Sequence, residues 1–153
     1  MKKKRVVIIS LLLLLVSVIG ISSYFLFKDK INLLDVDHSA VDWNGKKQKD
    51  TSGEENTIAI PGFEKVTLYA NETKQAVNFH NPEINDCYFK ISLIHPDGSV
   101  LWISDLIEPG KGMYSIELEK TLAVGEYENA VLKYECFSLN DQSPLNGSEI
   151  NLK

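Results

Sequence analysis

Cysteine is scarce: the 153 residues contain two, Cys87 and Cys136, alongside three histidines and two tryptophans. His80 and His95 each flank a proline-containing loop, with no cysteine or second histidine at ligand spacing, so they read as surface loop residues rather than zinc ligands. No G-x-S-x-G elbow is present to present a nucleophilic serine. Pro109-Gly-Lys-Gly112 lacks the following helix that would aim backbone amides at a phosphate. Carboxylates are numerous, but paired acids for glycoside cleavage need a cleft, and the polar C-terminal part is a short stretch in which to build one. The sequence therefore offers no catalytic residues, no metal site and no cofactor site.

Positive charge is also short where it would matter for nucleic acids. Residues 57–153 carry seven Lys and no Arg against fourteen Asp and Glu, a net charge of −7. Such a surface repels phosphate backbones, and nucleic acid is excluded as a partner. Asp35-Val-Asp-His38 with Asp42 superficially resembles a cation loop. It lacks the turn glycine and ligand spacing such a loop requires, and reads as solvated charge.

One long hydrophobic run is present, and it lies at the start. Residues 1–5 are basic, and residues 6–27 are uncharged with five consecutive leucines. As a helix those 22 residues would extend about 33 Å, enough to cross a bilayer core. The basic stub at 1–5 orients such an anchor with its N-terminus in the cytoplasm and everything after residue 30 outside, a single-pass plasma-membrane topology. Gly20-Ile21-Ser22 offers a small-x-small cleavage site, so a removed signal peptide is the competing reading. Both readings export the C-terminal part. Residues 28–56 are polar, without sustained periodicity, and read as a flexible stalk of about 30 Å reach.

From residue 57 onward short alternating segments are separated by turn residues. Strands are expected over 57–60, 63–70, 75–80, 87–94, 99–104, 113–118, up to Cys136 and over 148–152. Cys87, Phe89, Ile91 and Leu93 share one face; Tyr114, Ile116 and Leu118 are expected inward on a later strand; Ala130, Leu132, Tyr134 and Cys136 share one face of the strand before last. Leu122, Gly125 and Tyr127 read as a tyrosine corner entering that strand. Seven or eight strands with no helical pattern beyond residue 30 define the fold class: all-β, an immunoglobulin-like antiparallel sandwich over 57–153 behind one N-terminal transmembrane helix. In that topology the strand over 87–94 neighbours the strand ending at Cys136. Cys87 and Cys136 then lie at adjacent ends, within reach of a disulfide that would stabilise the fold by about 4 kcal/mol.

Ile107-Glu-Pro-Gly-Lys-Gly-Met-Tyr-Ser-Ile-Glu-Leu118, Gly125-Glu-Tyr-Glu-Asn-Ala-Val-Leu-Lys-Tyr-Glu-Cys136 and Pro144-Leu-Asn-Gly-Ser-Glu-Ile150 resemble an uncharacterised group of small proteins. These are membrane-anchored extracytoplasmic proteins of Gram-positive bacteria with one Ig-like domain. The resemblance implies fold and topology and carries over no catalytic or binding residues. Such bacteria use few disulfides, which leaves two free buried thiols as the alternative.

An exported sandwich without catalytic residues points to a binding or scaffolding module for a protein or cell-envelope partner. The loops at 81–86, 105–112 and 139–147 are the expected surface, with Asn81, Asp105, Lys111 and Trp102 as candidate contacts. Two other readings remain open: an accessory subunit of a secretion or conjugation complex, and a carbohydrate-binding domain resting on Trp102.

Overall fold

The computed structural model describes residues 33–45 and 57–153. The expected basic stub, the anchor over 6–27, and residues 28–32 and 46–56 of the expected stalk lie outside these residues. The described residues of the unit from Leu34 to Lys153 are all-β. Its strands are β1 (Val41–Asp42), β2 (Lys74–His80), β3 (Cys87–Ile94), β4 (Val100–Ile103), β5 (Lys111–Glu117), β6 (Val131–Ser138) and β7 (Pro144–Asn151). They form two antiparallel sheets, β1-β5-β2 and β4-β3-β6-β7.

Period-2 alternation explains the central pair. On β3 the side chains of Cys87, Phe89, Ile91 and Leu93 point inward, and on β6 those of Leu132, Tyr134 and Cys136 do the same. The two strands run antiparallel in register from Cys87 opposite Ser138 to Ile94 opposite Val131. Phe79 and Ile116 of the other sheet close the core, and Phe79 stacks on Trp102 across the two layers at 5.8 Å. Burying such aromatic surface between two faces is the main stabilising term of a sandwich.

Three irregularities reassign residues that simple alternation misplaces. Between Leu93 and Ile94 the β3–β4 ladder shifts register, which turns the consecutive Leu101 and Trp102 both inward. Trp102 is 8% exposed, so it is a core residue and not the expected binding surface. Between Ala76 and Phe79 the β2–β5 ladder shifts opposite Tyr114. The inward set on β5 becomes Met113 and Ile116, and Tyr114 points outward instead of into the core. On β7 the shift falls opposite Glu135, where a Cβ on Gly147 would collide with the Tyr134 carbonyl oxygen. Only glycine fits there.

The strands expected over 57–60 and 63–70 do not form: apart from a single bridge at Pro61 these residues are irregular, and burial does not alternate, since Ala59 is buried between Ile58 and Ile60 and Phe63 and Val66 lie three apart. Ile58, Ile60, Phe63, Val66 and Leu68 pack against the core. Side chains replace strand partners: the buried Gln75 amide accepts from Tyr69 N–H at 2.6 Å and donates to the Tyr69 and Glu72 carbonyls.

The larger correction concerns residues 34–45, which composition assigns to the stalk. They form a strap on the domain. Leu34 exchanges two hydrogen bonds with the Gln142 side chain, and Asp37 N–H donates to the Leu106 carbonyl at 2.8 Å. The Asp37 carboxylate accepts from Ser39 and from the Asp105 N–H, so it holds the chain's course and is not free solvated charge. β1 then pairs with β5, Val41 opposite Gly112. Beyond it, Asn44 exchanges two hydrogen bonds with the Tyr114 hydroxyl, which explains the outward turn of that ring.

The expected disulfide is also corrected. Cys87 and Cys136 are free, buried thiols. Cys87 faces Ser138 and Cys136 faces Phe89, so the two cysteines are diagonal neighbours. Diagonal Cα atoms in an antiparallel pair stand about 7–8 Å apart, beyond the usual reach of a disulfide. The hydrogen bond to Cys87, with burial added, pushes the Cys136 thiol far up and keeps it protonated.

Candidate binding groove

β2 ends at His80 beside the start of β5, and the loops that follow β2 and precede β5 meet there. A buried polar network fixes them. The Asn81 side chain, 0% exposed, donates to the carbonyls of Cys87 and Ile107 at 2.8 and 2.9 Å. Its oxygen accepts from the Asn85 amide at 2.9 Å, and Asn85 in turn exchanges two hydrogen bonds with the Ala59 backbone. The Asn81 backbone also pairs with Lys111 and Gly110. Every arm of Asn81 is occupied internally, so it is a scaffold residue, not the expected contact surface. A fully satisfied buried network of this kind holds loops in one arrangement.

The strap completes the site. The Trp43 indole N–H donates to Asn78 Oδ1 at 2.8 Å, and the ring stacks on His80 with centroids 3.8 Å apart and planes 9° from parallel. Gly112 makes room for both rings: a Cβ there would lie 2.7 Å from Trp43 Cδ1 and 3.0 Å from His80 Cβ. His80 is 4% exposed, not the surface residue its sequence context suggests, and its Nδ1 has no hydrogen-bond partner among the described residues. Burial lowers its pKa from 6.5, against the opposing pull of the Asn78 carbonyl.

Between these elements lies a groove of about 760 Å³. Trp43 and His80 form part of its lining, with Ile60 and Pro61 from the 57–62 segment, Pro82, Glu83 and Ile84 from the loop after β2, and Pro109 and Gly110 from the loop before β5. Ile84 is 76% exposed, a large apolar side chain left at the surface. Among the described residues the charged side chains lining the groove are Asp42 and Glu83. Lys111, an expected contact, is engaged by Asp42, and the hydrogen bond between them lowers the Asp42 pKa and raises that of Lys111. Asp105 is exposed nearby in sequence but does not line the groove.

The other residues singled out by the sequence lie elsewhere. The Tyr127 hydroxyl donates to the Ala123 carbonyl at 3.0 Å, and the Leu122 carbonyl accepts from Asn71 N–H at 2.7 Å. Gly125 does not adopt a positive φ; the left-handed residue before β6 is Asn129, at φ 66°. Among the described residues no group of three or more His, Cys, Asp or Glu side chains is placed to hold a metal ion. Two of the three loops expected as surface, 81–86 and 105–112, contribute Ile84 and Pro109 to the groove, whereas sequence reasoning missed Trp43 and His80. The available signal was weak: a short Val41-Asp-Trp43 alternation inside an otherwise polar stretch. Set against known proteins, the chain matches no family model, no curated protein and no solved structure.

Proposed function

We propose that this chain is a non-catalytic binding module: an immunoglobulin-like domain, held outside the cytoplasm by the N-terminal hydrophobic segment, that engages a protein or cell-envelope component through the groove. The observation that carries the reading is the groove itself, where rigid loops leave Ile84 exposed beside Trp43 and three prolines. Exposed apolar side chains in a concave, preformed site are the usual mark of recognition surfaces. The strand order β4-β3-β6-β7 opposite β5 and β2 supports the immunoglobulin-like assignment. The hydrophobic run over 6–27 with its basic flank supports the anchor and its orientation.

Sugar stacking on Trp102 loses its basis, since that ring is in the core. Trp43 has one face committed to His80, which favours a partner that inserts a side chain over one that lays a sugar ring on an open indole. Affinity purification of the full chain in wild-type and Ile84→Glu forms, from the same cells, tests the reading. A partner retained by the wild type and lost from the variant is expected. Identical recovery with both forms would remove the groove from the account.

A further inference from the structure

We infer that the groove takes an extended basic segment of a partner protein, seating one bulky apolar side chain beside Ile84 and a neighbouring Lys or Arg on Glu83. The inference rests on the binding-module reading above and specifies the partner's chemistry.

Charge selects the sign. Residues 34–45 and 57–153 together carry seventeen acids against seven lysines. Among the described residues, the lysine that follows the groove's Gly110, Lys111, is already held by Asp42, with Glu108 adding to its negative surroundings. Glu83 makes no ion pair among the described residues. Its side chain packs at the Gly110 turn, where a Cβ would stand 3.6 Å from Glu83 Cγ, so the carboxylate is backed by the neighbouring loop. An anionic ligand or membrane surface would meet repulsion at this rim, whereas a cationic side chain meets the Glu83 carboxylate, which has no ion-pair partner among the described residues.

Shape and wall chemistry select a peptide. Pro61, Pro82 and Pro109 contribute apolar surface and no backbone N–H donors, which suits a side chain and not a phosphate or carboxylate group. The volume exceeds that of a single side chain and accommodates its flanking residues as well. The walls are preformed by the Asn81–Asn85 network, so little ordering entropy opposes binding.

The test is calorimetric titration of the full chain, held in detergent micelles, with short synthetic peptides. One carries a central Phe flanked on both sides by Lys; the controls replace Phe by Ser, or Lys by Glu. Saturable binding of the Phe/Lys peptide is expected, with affinity about tenfold lower for either control peptide and for the variants Ile84→Ser and Glu83→Gln. Binding should also weaken as salt rises. Equal affinity for the Phe and Ser peptides, or indifference to Ile84→Ser, would reduce the effect to unspecific charge and overturn the inference. If no basic peptide binds while partner capture from cells still depends on Ile84, the basic-peptide chemistry falls and the module reading stands. If both fail, both fall.

Discussion

Trp43 lies flat against His80, centroids 3.8 Å apart, and this stack joins the strap to the body of the domain. It brings together a residue from a polar N-terminal stretch and one at the end of β2, over a glycine with no space for a side chain. Strap, groove and sheet edge are thereby one structure.

Gly112→Ala is expected to displace the stack. The added methyl must push Trp43 or His80 aside, because the third close neighbour is the Phe79 carbonyl oxygen at 3.0 Å. A loss of about 1–3 kcal/mol in urea unfolding is expected, together with faster amide exchange at Val41 and Trp43. Unchanged exchange there would mean the strap is held by something other than the stack.

Acid should weaken the domain through His80. Its folded pKa lies below the unfolded value of 6.5, so between the two the unfolded chain binds more protons and stability rises with pH. The contribution is intact above about pH 6.5 and is lost as pH falls from there through the depressed folded value. Thermal melts across that interval should show a falling Tm in the wild type and a smaller fall in His80→Phe. Asp42 and Asp141, whose pKa values are held below 3.8 by hydrogen bonds with Lys111 and Ser143 respectively, act only at more acidic pH.

Asn81→Asp changes little in shape but replaces two donors with a carboxylate facing the Cys87 and Ile107 carbonyls. A destabilisation of about 3 kcal/mol or more is expected from the unpaired buried groups and charge. Chemical unfolding at neutral pH measures it. A shift under about 1 kcal/mol would show that the network is not what holds the loops.

Tyr134→Phe should go the other way. The Tyr134 hydroxyl is buried with no hydrogen-bond partner among the described residues, and burial pushes its pKa well above the usual phenol range. Removing it leaves the ring packing against Phe89 in place. A gain of about 1 kcal/mol in unfolding free energy is expected; a loss would reveal a bond to the hydroxyl.

The sequence was most legible where burial follows strict alternation. β3 occupies the span expected for it, because Cys87, Phe89, Ile91 and Leu93 leave only one register with a dry face. Bulges defeat that logic: Leu101 and Trp102 are adjacent yet both inward, and Tyr114 breaks the expected set. The strap was illegible for a different reason. Its hold is mostly through backbone and single polar contacts, such as Asp37 to Leu106 and Asn44 to Tyr114, which leave no periodic hydrophobic trace. The groove inherits that gap, since two of its defining residues, Trp43 and His80, meet only once the strap is in place.

The most direct measurement is site-specific photo-crosslinking in cells that make the protein. A photoreactive amino acid is placed at Ile84 in the groove and, as controls, at the exposed positions Tyr69 and Val124, which lie on the lining of a different depression. A discrete adduct from position 84, absent from 69 and 124, is the expected result. Adducts from the control positions with none from 84 would contradict the assignment of the groove as the binding surface.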